Sequence, residues 1–212
     1  MSTSTLRTHL PAARRTRPEH PGAARGGAWA LSFAVVAIVA LHVLRPGLDP
    51  GRYAISQYAA SGPYSWLAAL ALVAMGGGAL AVASALPAHG SRRRTWALVG
   101  VFGVGVLVAA AFPISPPGQG APPSEHVHGA AAFFAFAALT IAMLVSARPF
   151  RADDRLRPLA RATTVGGVLT LVLLLGGDLV PAAARGTWER VYLAILLGWL
   201  LAVAARLART PS

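Results

Sequence analysis

Ser56, His126, His128 and Asp178 are the side chains of this 212-residue sequence whose types could support a reaction. A serine hydroxyl becomes a nucleophile when a neighbouring base takes its proton, and imidazole is the side chain best matched to that task near neutral pH. Ser56, His128 and Asp178 therefore form the candidate catalytic set. His126, His128 and Asp178 form a candidate metal set, because zinc takes three or four nitrogen and oxygen ligands; Glu125 or Asp49 is an alternative third ligand. The spacing of His126 and His128 turns the two imidazoles to different faces of a helix, so both reach one metal only from extended backbone. Each group also has a plainer reading. Ser56 suits a turn or cap, and the two histidines suit an interface where they meet water or cap a helix.

These residues have to be positioned by elements built for a bilayer. The sequence is 55% hydrophobic and 12% charged, with its charges gathered in short blocks between long apolar runs. A hydrocarbon core about 30 Å thick needs roughly 20 apolar residues in a helix that closes its own hydrogen bonds. Six stretches meet that need: 27–44, 66–86, 96–112, 129–147, 162–180 and 188–205. The expected fold is all-α, an integral membrane bundle of six transmembrane helices over residues 26–208, behind a polar, basic and disordered tail over 1–25. Trp29, Trp66, Trp96 and Trp188 stand at segment ends, as an interfacial aromatic belt predicts, whereas Trp199 does not. The apolar run after the tail is longer than a signal-peptide core and no small-residue cleavage site closes it.

Arginine placement orients the bundle. The sequence has no Lys, and with a cytoplasmic N-terminus fifteen of its arginines fall inside, leaving only Arg45, Arg52, Arg185 and Arg190 outside. Glu19, Asp153 and Asp154 are then inside, and Asp49, Glu125, Asp178 and Glu189 outside, so the whole formal charge of +12 is cytoplasmic. Both termini are expected in the cytoplasm of a cell-membrane protein. The basic face is suited to anionic lipid headgroups, and the position of its arginines at span ends argues against nucleic acid. The all-Arg, Ala- and Gly-rich composition suits a bacterial GC-rich coding bias. The absence of Cys removes disulfides, thiolate metal sites and cysteine nucleophiles.

This topology gathers the polar residues into one layer at the outer interface. After the first span come His42, Asp49, Arg52, Ser56, Gln57 and Tyr58; before the fourth come Ser115, Glu125, His126 and His128; Asp178 ends the fifth, and Glu189 and Arg190 open the sixth. Residues 45–51 carry Pro and Gly in the pattern of a rigid bend. Glu189 in a first helical turn meets the helix dipole favourably, and Arg190 is expected to snorkel toward headgroups or to pair with Asp178. No span has a charge at its middle, which counts against a proton pump. Glycines at 76–78, 100, 103, 105, 166 and 167 suit close helix packing, and Gly176 and Gly177 could unwind the end of the fifth helix.

Pro50 ahead of Ile55, Ser56, Gln57 and Tyr58, then Trp66, Phe112 with Pro113, His128 with Gly129, and finally Gly186, Thr187, Trp188, Glu189 and Arg190 form an ordered series. In that order and placement the sequence resembles the domain of unknown function 998 family over about residues 29–206. The resemblance implies a prokaryotic membrane protein with about six helices and supplies no mechanism. The family pattern usually carries an Asp where this sequence has Ser115, so any role of that acid is either lost in this member or taken by Glu125.

Two functions of different class follow. The leading one is a non-catalytic membrane protein, lipid-interacting or an accessory subunit, because no complete catalytic constellation is visible. The alternative is an intramembrane hydrolase at the outer leaflet, either metal-dependent, with zinc as its cofactor, or serine-dependent through Ser56. A transporter is the third.

Overall fold

The protein is described by a computed structural model over residues 20–88, 90–112, 114–116, 119 and 122–209; the expected tail up to residue 19, Pro113 and Gly118 lie outside the described residues. Seven α-helices are present, α1 (Pro21–Leu44), α2 (Gln57–Ala60), α3 (Ser65–Ala85), α4 (Arg93–Ala111), α5 (Pro123–Arg151), α6 (Ala160–Gly176) and α7 (Arg185–Ala208), with no strand among the described residues. All but α2 belong to six segments long and apolar enough to cross a membrane. The helices overrun the apolar stretches. α1 begins at Pro21, inside the expected tail, and α5 begins at Pro123 and runs to Arg151. Hydropathy marks the hydrocarbon segment, whereas a proline in the first turn, whose missing N–H has no partner to lose, sets where the helix starts.

Along α1, Ala24, Gly27, Leu31, Ala34, Ile38 and Leu41 are buried at spacings of three and four, while Trp29, Val36, Val39 and Val43 on the other face are exposed. A helix apolar all round but buried on one stripe is what lipid as solvent demands. α1 packs on α3, α3 on α4, α4 on α5 and α5 on α6, and α7 closes against α1 and α6. The tightest crossings use glycine: a Cβ added at Gly27 would stand 2.8 Å from the Gly78 carbonyl oxygen, and one at Gly76 would stand 2.8 Å from that of Gly103. Backbones at this separation gain dispersion energy that larger side chains would forbid.

Polar side chains inside the bundle find one another. The Thr95 and Ser146 hydroxyls join α4 to α5 at 2.8 Å, and the Thr140 and Tyr192 hydroxyls join α5 to α7 at 2.7 Å. Trp199, the tryptophan out of place in an interfacial belt, is buried: its indole N–H donates to Thr163 Oγ1 at 2.9 Å and its ring stacks on Phe150. A buried indole needs such a partner for its N–H.

The two ends of the bundle differ. At the arginine-rich end Arg92 pairs with Asp153 at 2.6 Å, both largely buried, and Asp153 Oδ1 accepts the Arg155 N–H at 2.8 Å, so one carboxylate ties the start of α4 to the turn after α5. At the other end lie the loops 45–64 and 177–184 and the junction of α4 with α5. Gly177–Leu179 there forms a 3-10 turn directly after α6, so the glycine pair does end the regular helix.

Candidate functional site

The segment 186–190 organises this end residue by residue. Gly186 lies against the loop: a Cβ there would collide with the Pro50 carbonyl oxygen and stand 2.6 Å from that of Tyr53. The Thr187 N–H donates to the Gly51 oxygen at 3.0 Å. The Trp188 indole N–H donates to the Leu173 oxygen at 3.1 Å, fastening α7 to α6. Glu189 Oε2 accepts the Ile55 N–H at 3.0 Å. The Arg190 guanidinium donates to Tyr53 O at 2.8 Å, Gly186 O at 2.9 Å and His42 Nε2 at 2.6 Å, and lies over the Tyr58 ring. Loop 45–64 is thus hydrogen-bonded onto the first turns of α7.

Other residues stiffen the same loop. Asp49 Oδ1 accepts the Gly51 N–H, Gln57 Oε1 accepts the Ala54 N–H, and the buried Tyr58 hydroxyl donates to Leu48 O at 3.0 Å. Arg45 donates to the Tyr58 and Ser61 carbonyls. Arg52 is exposed, with its guanidinium over the Tyr53 ring. His42 Nδ1 lies 2.6 Å from Ile38 O. A carbonyl only accepts, so Nδ1 carries the proton and Nε2 is the lone pair that receives Arg190, which fixes His42 as neutral.

Behind this loop is a small cavity of about 50 Å³ whose polar lining is Ser56, His128 and Glu189, set among Ile55, Leu72, Met75, Val106, Ala109, Ala132, Phe136 and Leu193. His128 is buried, and its Nδ1 lies 2.8 Å from Ala109 O and 3.0 Å from Phe112 O, at the end of α4. Carbonyls only accept, so Nδ1 carries a proton. Ser56 makes no side-chain capping bond to α2. Ser56 Oγ, His128 Nε2 and Glu189 Oε1 have no hydrogen-bond partner within the described protein.

A second hollow lies on the lipid-facing side of the same wall. It is a groove of about 390 Å³ between α1 and α7, lined by Val35, Ile38, Val39, Ala194, Leu197, Gly198 and Leu201, with His42 and Arg190 as its polar side chains among the described residues. The helical period divides α7 between the two hollows. Glu189 and Leu193 line the cavity, whereas Arg190, Ala194, Leu197, Gly198 and Leu201, at offsets of four, seven, eight and eleven, line the groove. Ile55 and Leu193 line both.

Of the candidate catalytic set, Ser56 and His128 share the cavity and Asp178 does not: it is exposed on the 3-10 turn after α6. The candidate metal set is not assembled. His126 and His128 both lie in α5, so their side chains diverge; His126 and Asp178 are exposed, and no three His, Asp or Glu among the described residues are placed to hold a metal ion. Arg190 pairs with backbone oxygens and His42 in place of Asp178; no carboxylate among the described residues lies within 4 Å of it, and Glu189 meets it only through longer-range electrostatic attraction. Glu125 Oε2 accepts the Ser115 N–H at 3.2 Å and so holds the loop before α5. The cavity carboxyl group is Glu189, which its favourable position near the start of a helix concealed as a dipole partner; its place within the ordered series 186–190 was the available signal.

The model of the family described as "Protein of unknown function (DUF998)" matches residues 28–206, and the chain belongs to that family. No curated protein and no solved structure matches the chain. Family and helices together make it a multi-pass membrane protein.

Proposed function

We propose that this DUF998 family member is a lipid-interacting protein that seats one anionic amphiphile from the bilayer in the groove between α1 and α7. The observation that carries the reading is the pairing of an apolar groove with a half-buried arginine at its end that makes no ion pair within 4 Å among the described residues. Acyl chains match the aliphatic lining of Val35, Val39, Leu197 and Leu201, and a phosphate matches the guanidinium, whose Nη2 has only a long 3.5 Å contact to the Tyr58 hydroxyl. Most of the remaining donors of Arg190 are engaged by backbone, so the charge is held in place before a ligand arrives, which lowers the ordering cost of binding.

The distribution of arginine supports an orientation in which this end faces outward, both termini are cytoplasmic and the basic face meets anionic headgroups of the cell membrane. The groove then draws on the outer leaflet.

Gly198 supplies the test, because it lines the groove and a Cβ built there meets nothing within 4 Å. Gly198→Phe should fill the groove without disturbing helix packing. Lipid extracted from protein purified in mild detergent should contain an anionic species at about one per chain, and that species should be lost from the variant. A lipid complement that matches the bulk membrane and is unchanged in Gly198→Phe would overturn the reading.

A further inference from the structure

We propose that Ser56 and His128 are a nucleophile and its base, and that they cleave an acyl ester of the amphiphile seated in the neighbouring groove; the substrate class rests on the lipid-binding reading above. Ser56 and His128 line one cavity, and neither Ser56 Oγ nor His128 Nε2 is hydrogen-bonded within the described protein. His128 is held from behind by two backbone carbonyls, which fix the tautomer a base requires and stabilise the imidazolium that forms when Nε2 accepts a proton. Here backbone oxygens take the place of the carboxylate that orients the imidazole in a triad.

Ile55 and Leu193 alone line both hollows, so a chain lying in the groove places its ester level with the wall of the cavity. Passage from the groove to the cavity requires these two aliphatic side chains to move aside, because they line both spaces. Glu189 fixes one side of that wall by accepting the Ile55 N–H, which makes it a positioning residue for the segment bearing Ser56.

The reaction balances with water as the only co-reactant. Ser56 Oγ bonds to the ester carbonyl carbon while its proton passes to His128 Nε2. The tetrahedral adduct collapses, the carbon–oxygen bond to the alcohol breaks, and the leaving oxygen takes the proton from Nε2. Water then attacks the acyl-Ser56 carbon and gives a proton to Nε2, and Ser56 Oγ leaves with that proton. Ester and water become a carboxylic acid and an alcohol.

The test uses the full-length protein in lipid nanodiscs and two fluorophosphonates, one with a dodecyl chain and one with an ethyl group; in each, Ser56 Oγ bonds to phosphorus, the P–F bond breaks to release fluoride, and the hydroxyl proton passes to His128 Nε2. Adduct mass should map to Ser56 with both probes and vanish in Ser56→Ala, a change that removes no hydrogen bond within the described protein. His128→Gln should slow labelling by about 100-fold or more, the usual contribution of a positioned base. In Gly198→Phe the dodecyl probe should lose its advantage while ethyl labelling persists.

The two readings fail separately. No adduct at Ser56 with either probe, or an adduct formed equally fast in His128→Gln, overturns the nucleophile and base while leaving lipid binding intact. Labelling of Ser56 by both probes at wild-type rates in Gly198→Phe keeps the dyad and overturns the groove as the source of its substrate.

Discussion

Gly186→Ala should detach loop 45–64 from α7. The added methyl would collide with the Pro50 carbonyl oxygen and stand 2.6 Å from that of Tyr53, and backbone oxygens cannot rotate away as a side chain does. Relief requires the loop to lift, which strains the Thr187 bond to Gly51 at 3.0 Å, the Arg190 bond to Tyr53 at 2.8 Å and the Glu189 bond to Ile55 at 3.0 Å. Overpacking of this kind costs about 1–3 kcal/mol, which raises the open fraction of the loop about 5- to 150-fold at 1.4 kcal/mol per factor of ten. Because the chain has no Cys, a single thiol introduced as Ala54→Cys reports on the opening through its rate of maleimide labelling in nanodiscs. Gly100→Ala is the control, since a Cβ there meets nothing within 4 Å. Labelling that is no faster in Gly186→Ala than in Gly100→Ala would refute the claim that Gly186 is the contact on which the loop is seated.

Asp153→Ala removes the largely buried ion pair with Arg92 and the bond to the Arg155 N–H and should lower stability by about 1–3 kcal/mol, read as an earlier unfolding midpoint in detergent. Tyr192→Phe and Thr140→Val each remove one partner of the 2.7 Å bond between α5 and α7; a double-mutant cycle should return a coupling of about 0.6 kcal/mol, typical of hydrogen bonds between membrane helices. Trp199→Phe keeps a ring against Phe150 but leaves Thr163 Oγ1 without the indole N–H, and should cost about 1 kcal/mol in the same assay. For orientation, a reporter fused after Ser212 should read cytoplasmic and one inserted at Gly118 external; the reverse pattern at either position would exclude the proposed sidedness.

The spans were legible because a bilayer leaves the backbone little choice: long apolar runs must close their own hydrogen bonds, and the run from Gly27 to Leu44 can do so only as a helix. The ends were less legible. Pro21, Pro123 and Arg151 lie in polar sequence, so hydropathy places them outside a helix that in fact includes them. The polar layer was also readable, since an even number of crossings returns Ser56, His128 and Glu189 to one end of the bundle. Lateral position was not. Asp178 and Glu189 are equally near that end in sequence, yet the 3-10 turn after α6 leaves Asp178 exposed, while the face of α7 that carries Leu193 turns Glu189 to the cavity. Nothing in the spacing of residues says which helices adjoin, so Asp178 stood in the expected set where Glu189 occupies the site. The role of Arg190 was hidden for the same reason: apart from Gly186, its partners are residues 42, 53 and 58, more than 130 positions away.

Binding of an anionic amphiphile between α1 and α7 is tested most directly by a structure determined in nanodiscs containing phosphatidylglycerol. It should show an acyl chain along Val39, Leu197 and Leu201, with the phosphate against the Arg190 guanidinium. A groove closed by direct contact of α1 with α7, or a chain there with its headgroup turned away from Arg190, would contradict it.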